Sequence, residues 1–274
     1  MSSPSNPLFA PAPPDLQPQL PVPLPPPTAV GDENPPWSGW DVIAIAALTI
    51  LLIFLSLLGA TYAAHRLLFP ALPLTEVAKF PLITVAAQCI AYLLVFGFMV
   101  AVAKRGHDQS FWHAVRFNWP RAWPAFLFAG VALAIGLQAL AHFLPMPKEL
   151  PIDRFFQTTF EAWALSLFGV TMAPLMEELF FRGFLYPVLV RKLGTAVAIV
   201  LTAAGFGLIH APQLGQAWAP VLVVFLVGLT LTITRAVTKS VASSLLIHMA
   251  YNGTISVLIF AVSDGFRHLE KLNQ

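Results

Sequence analysis

Apolar residues occur along this chain in long, nearly uninterrupted runs. There are seven such runs, at about 42 to 64, 81 to 103, 123 to 144, 160 to 190, 195 to 213, 218 to 236 and 240 to 262. A helix needs about 20 apolar residues to cross a bilayer core of about 30 Å, and no segment alternates as a membrane β-strand does. The pattern predicts an all-α fold, a polytopic transmembrane helix bundle of about seven spans, with eight as the alternative.

Polar and proline-rich stretches divide the chain further. The first 36 residues hold 13 of its 25 prolines, and such sequence favours extended polyproline II over a packed core. We expect 1–36 to be a disordered Pro-rich tail, 37–159 to hold three spans, 160–262 to form a second helix bundle and 263–274 to be a C-terminal tail. Aromatic residues alternate with charged ones within 104–122, which predicts a segment at the headgroup level.

Composition agrees with a membrane protein and excludes other classes. Hydrophobic residues make up 57% of the chain and charged residues only 10%, against about 25% charged in soluble domains. The net charge of +2 comes without any Lys/Arg-rich block, so we expect the lipid bilayer as a partner and no nucleic acid. Lys and Arg number eight in the loops on the N-terminal side and six on the other, which favours a cytoplasmic N-terminus.

The fourth apolar run carries three charged side chains within six residues. Insertion of each such charge into a membrane helix costs about 2.5 to 3.5 kcal/mol, so its presence indicates a structural or functional role. Glu178 and Arg182 are four residues apart with the acid first, the favourable order for a helical ion pair. Glu177 is rotated away from that pair and could project into a cavity as a general base. The alternative is a purely structural ion-pair network.

Two later apolar runs add histidines and an amide. His210 ends the fifth run, and His248 lies four residues before Asn252 in the last run, so these two side chains share one helix face. With 1.5 Å of rise per residue, Glu177 and His210 lie about 21 to 23 Å from the surface near residues 191 to 194. His248 and Asn252 lie about 14 to 20 Å from the same surface. The three helices are thus predicted to deliver polar groups to one layer.

A glutamate, two histidines and an asparagine in a dry layer can hydrolyse an acyl bond with water. The hydrolysis needs a base, an oxyanion donor and a group that protonates the leaving amine. Glu177, His210 and His248 could instead bind Zn²⁺, because two histidines and a glutamate with an open fourth position form a known catalytic set. The residues therefore leave two possibilities open: a site without a cofactor, and a site that binds Zn²⁺.

Three segments carry a family resemblance. They are Glu177-Glu178-Leu-Phe-Phe-Arg182, Phe206-Gly-Leu-Ile-His210 and His248-Met-Ala-Tyr-Asn252. In order and spacing they resemble the three motifs of the CPBP family of intramembrane proteases, which includes CAAX prenyl endopeptidases and bacterial bacteriocin-processing or immunity proteins.

The resemblance implies a role for each motif residue. Glu177 would activate water with His210, His248 with Asn252 would hold the oxyanion, and Glu178 with Arg182 would orient and charge-balance the site. It also implies an endopeptidase of the bacterial inner membrane that cuts near the C-terminus of a lipidated or membrane-anchored protein or peptide.

Two other functions remain as alternatives to proteolysis. Intramembrane Glu and His chains also serve as proton relays, so a proton-coupled transporter is one of them. The chain has no internal repeat of the kind that transporters show. The other is a non-catalytic scaffold or immunity protein that uses the same fold.

Overall fold

The computed structural model describes residues 34–105, 109–156 and 158–268. The predicted N-terminal tail therefore lies outside the described residues except for 34–36, and the C-terminal tail lies outside them from residue 269. Residues 34–36 are held in place: the Arg191 guanidinium donates to the carbonyl oxygens of Pro35 and Trp37, each at 3.0 Å.

The described residues form helices and contain no strand. The α-helices are α1 Gly39–Leu67, α2 Leu74–Val77, α3 Pro81–Lys104, α4 Phe111–Ala114, α5 Trp123–Ala141, α6 Thr159–Val170, α7 Met172–Glu178, α8 Tyr186–Leu193, α9 Thr195–His210, α10 Trp218–Thr238 and α11 Val241–Val262. A π-helix, Leu179–Leu185, joins α7 to α8, and short 3₁₀ helices cover Pro151–Phe155 and Ala211–Leu214. The protein is a polytopic helical membrane protein, as the apolar runs predicted.

In the part of the chain that the structure describes, six helical segments are long and apolar enough to cross a membrane, rather than seven. The difference is α9, which is apolar but has only 16 residues, or about 24 Å of helix. The apolar run continues to residue 213, but the α-helix stops at His210 and a 3₁₀ helix follows, because Pro212 has no backbone N–H to continue the α-helical hydrogen bonds. His210 therefore lies at a helix end rather than within a full span.

The fourth segment, Thr159–Leu193, is 35 residues long. A straight helix of that length would extend about 52 Å, far more than the bilayer core. It is instead divided at Thr171, between α6 and α7, where the backbone departs from helical geometry and Pro174 follows. The π-helix then adds a second irregularity directly after Glu177 and Glu178. Such π-segments are frequent at functional sites.

Glycines allow two close helix contacts around this segment. A Cβ on Gly207 of α9 would lie 3.2 Å from the Cβ of Phe225, and one on Gly228 of α10 would lie 3.0 Å from the Phe206 ring. On α5, a Cβ on Gly130 would lie only 2.4 Å from the carbonyl oxygen of Ile247 in α11. Small residues at such crossings are typical of membrane helices, and here they allow α9 to pack closely on α10 and α5 to pack closely on α11.

Candidate active site

The innermost part of the site is the ion pair between Glu178 and Arg182. Glu178 Oε1 accepts a hydrogen bond from Arg182 Nη1 at 2.7 Å, and both side chains are fully buried. The pairing predicted from the four-residue spacing is therefore confirmed, although the π-helix begins between the two residues. A buried pair of this kind is stable only when its remaining donors and acceptors also find partners.

Helix α10 supplies partners for the rest of the guanidinium. Arg182 Nη2 donates to the carbonyl oxygen of Gly228 at 2.8 Å, and Nε donates to Thr232 Oγ1 at 3.3 Å. The ring of Phe206 lies 4.6 Å from the guanidinium carbon, within the range of a cation–π interaction. Arg182 thus joins the π-helix to α9 and α10. Sequence reasoning did not identify any of these three partners.

His248 connects α11 to the ion pair. Its Nδ1 lies 3.0 Å from Glu178 Oε1, so this one oxygen accepts hydrogen bonds from both the imidazole and the guanidinium. Because an ionised carboxylate can only accept, Nδ1 carries the hydrogen. The other ring nitrogen, Nε2, lies 3.7 Å from Glu177 Oε2. Glu178 therefore fixes the orientation of His248 and keeps a hydrogen on Nδ1.

His210 approaches the same glutamate from α9. Its Nδ1 donates to the carbonyl oxygen of Phe206 at 2.8 Å, since a carbonyl oxygen can only accept. Its Nε2 lies 3.9 Å from Glu177 Oε1. The prediction that three helices deliver polar groups to one layer is confirmed for Glu177, His210 and His248.

The Glu177 carboxylate therefore lies between two imidazole Nε2 atoms, one facing each of its oxygens. The two separations are too long for direct hydrogen bonds and suit a bridging water molecule. The side chain of Glu177 is 17% exposed and that of His210 is 20% exposed, whereas Glu178 and Arg182 are 0% exposed. The Glu177 carboxylate is therefore partly accessible, whereas the ion pair behind it is not.

Phe206 separates and orients the two histidines. Its ring centroid lies 4.8 Å from that of His210 and 5.6 Å from that of His248, and the residue is only 2% exposed. Phe181 packs edge-on against the same ring at 5.3 Å. Phe206 begins the second of the three motifs in the sequence, but the sequence assigned it no role.

Asn252 has a partner that its spacing from His248 did not predict. It lies one turn after His248 on α11, but its side-chain nitrogen donates to the carbonyl oxygen of Gly169 in α6 at 2.7 Å. The amide thereby ties α11 to the helix that leads into Glu177. Its role as an oxyanion donor stays a prediction.

The zinc prediction concerns Glu177, His210 and His248. Among the residues that the structure describes, no three His, Cys, Asp or Glu side chains form a group that could hold a metal ion. Ligand atoms about 2.1 Å from a tetrahedral zinc lie about 3.4 Å apart, whereas the Glu177 oxygens lie 3.9 and 3.7 Å from the two histidine nitrogens. These side chains are slightly farther apart than ligands of a bound zinc ion, and zinc binding by the three residues stays a prediction.

Comparison with known protein families gives a match within the second half of the chain. Residues 159–254 match the family model described as type II CAAX prenyl endopeptidase Rce1-like. This part of the chain is similar to that family. No curated protein and no solved structure matches the chain. The Rce1-like region contains all six predicted site residues, is consistent with the CPBP family of proteases and thereby confirms the resemblance seen in the three motifs.

Proposed function

We propose that the protein is an intramembrane endopeptidase that hydrolyses a peptide bond near the C-terminus of a lipidated or membrane-anchored protein or peptide. The observation that carries this proposal is the position of the Glu177 carboxylate between the Nε2 atoms of His210 and His248. The Rce1-like match supports a protease over a transporter, and family resemblance also supports the bacterial inner membrane as its location.

In the proposed reaction, Glu177 is the general base. A water molecule in the gap donates one hydrogen to the Glu177 carboxylate and the other to the lone pair of His210 Nε2. As the water oxygen forms a bond to the peptide carbonyl carbon, its proton passes to Glu177. The protonated Glu177 then donates that proton to the amide nitrogen as the carbon–nitrogen bond breaks, which leaves a carboxylic acid and an amine.

We assign the oxyanion to His248. In the proposed scheme both ring nitrogens of His248 carry a hydrogen. Nδ1–H binds Glu178, and Nε2–H donates to the developing oxyanion. One oxyanion donor contributes about 10² to 10³ in rate when measured by removal. Asn252 holds the α6 backbone in this scheme.

A comparison of membrane proteomes tests activity and substrate together. Cells would carry the wild-type protein, Glu177→Gln, or the control Glu149→Gln, which changes an exposed loop glutamate. We expect longer, uncut C-terminal tails on a defined set of membrane proteins only with Glu177→Gln. Identical C-termini in all three strains, with normal cellular function, would favour the non-catalytic scaffold instead.

A further inference from the structure

The buried Glu178 carboxylate has one oxygen that lacks a hydrogen-bond donor. Its Oε1 accepts hydrogen bonds from both Arg182 and His248. Its Oε2 is buried as well, and among the residues that the structure describes no donor is in hydrogen-bond geometry with it. A buried carboxylate oxygen without a donor is costly, and most buried polar atoms in folded proteins have a partner. We therefore looked for a donor that could reach Oε2.

Ser244 of α11 has a hydroxyl next to this carboxylate. It lies four residues before His248, so the two side chains share the helix face that meets Glu178. Ser244 is fully buried, and its hydroxyl interacts with the Glu178 side chain. In this structure, however, the hydroxyl donates to the carbonyl oxygen of Val241 at 3.0 Å. A suitable donor is thus present beside Glu178, but its hydrogen is directed to the helix backbone.

The hydrogen bond from Ser244 to Val241 can be exchanged at little cost. Val241 begins α11, and its carbonyl oxygen faces the backbone N–H four residues later, its usual partner in an α-helix. Serine has three staggered side-chain positions, and rotation between them redirects the hydroxyl. An ionised carboxylate also forms a stronger hydrogen bond than a neutral carbonyl does. Rotation toward Glu178 therefore replaces a weaker acceptor by a stronger one and leaves no backbone group without a partner.

A hydrogen bond at Oε2 would fix the plane of the Glu178 carboxylate. The last torsion of a glutamate side chain has only broad preferences, so two bonds at Oε1 alone let the carboxylate pivot about that oxygen. A bond at Oε2 stops this pivoting and holds Oε1 against His248. We propose that Ser244 is a positioning residue, whose hydroxyl donates to Glu178 Oε2 in the working enzyme and thereby keeps His248 aligned with the substrate. This role rests on the function proposed for His248.

Ser244→Ala removes the hydroxyl, and Ser243→Ala is its matched control. Ser243 is the adjacent residue of α11 and is also buried, and its hydroxyl has no hydrogen-bond partner among the described residues. Because Ser244 acts through Glu178 rather than on the substrate, Ser244→Ala should lower kcat for a lipidated peptide and leave KM unchanged. We expect a fall of about 10- to 100-fold, the equivalent of one hydrogen bond to a charged group. Ser243→Ala should keep kcat, and the two variants should have similar Tm values.

A second measurement needs no enzymatic activity. NMR of the full-length protein in detergent, with ¹⁵N-labelled histidine, would follow the hydrogen on His248 Nδ1, and His248→Gln would identify its signal. We expect the signal to shift in Ser244→Ala but not in Ser243→Ala, because this hydrogen is bound to the Glu178 carboxylate.

The two measurements separate the role of Ser244 from the proposed function. If the wild type cleaved no peptide, the proposed function would fail, and the NMR signal alone would decide whether Ser244 positions the carboxylate. An unchanged signal in Ser244→Ala, a kcat equal to that of Ser243→Ala, or a fall in kcat matched by a fall in Tm would overturn the proposal.

Discussion

Replacing Gly130 by alanine should force α5 and α11 apart and weaken both stability and catalysis. The added Cβ would lie 2.4 Å from the carbonyl oxygen of Ile247 and 2.6 Å from the Cβ of Ala250. Carbon atoms in contact lie about 3.5 to 4.0 Å apart, so the helices must separate by about 1 Å. Overpacking of this size costs about 1 to 3 kcal/mol.

The same displacement reaches the proposed active site, because His248 directly follows Ile247 in α11. A shift of about 1 Å in a catalytic group can lower a rate by about 10²-fold. Gly136→Ala is the matched control, since a Cβ at Gly136 of the same helix would meet no atom within 4 Å. Thermal unfolding in detergent and the cleavage rate would be measured for both variants. The packing argument is refuted if Gly130→Ala matches Gly136→Ala in both.

Three further changes test other parts of the site. Arg182→Met removes the main partner of buried Glu178 and should destabilise the protein by about 3 to 5 kcal/mol in thermal unfolding. The control Lys79→Met removes one partner of the exposed ion pair with Glu76 and should cost no more than about 1 kcal/mol of stability. Equal losses of stability in the two variants would contradict the ion-pair account. Asn252→Leu leaves the Gly169 carbonyl without the amide donor. It should lower the free energy of unfolding by about 1 to 3 kcal/mol, and the Tm and the cleavage rate should fall together. A lower cleavage rate at unchanged Tm would instead mean that the amide acts only on the oxyanion. Treatment with a strong zinc chelator should leave the cleavage rate unchanged, because no proposed step uses a metal, and a loss that added Zn²⁺ restores would contradict that mechanism.

Contacts within one helix were predictable from the sequence. The four-residue spacing of Glu178 and Arg182 fixes their pairing because helix geometry alone brings such residues together. The common depth of Glu177, His210 and His248 followed from counting residues along three apolar runs, since the rise per residue is nearly constant. The span count was less secure, because composition does not mark where a helix stops when the next residues remain apolar.

Contacts between helices could not be predicted in the same way. Asn252 donates to Gly169, some 83 positions earlier, and its partner depends on how α6 bends at Thr171. The partners of Arg182 on α10 are a backbone carbonyl and a threonine hydroxyl, groups that apolar helices offer at many positions. Which of them meets the guanidinium is decided by the close approach of α9 and α10 at Gly228.

The central claim is that Glu177 is the base that activates water for peptide hydrolysis. Its most direct test is the cleavage rate of a fluorogenic peptide with a lipidated C-terminus, measured with purified protein in liposomes. The account predicts cleavage by the wild type and by Glu149→Gln, and a rate lower by about 10² to 10⁴ with Glu177→Gln, since the amide keeps the size of the side chain but cannot accept the proton. Cleavage by Glu177→Gln at the wild-type rate would contradict it.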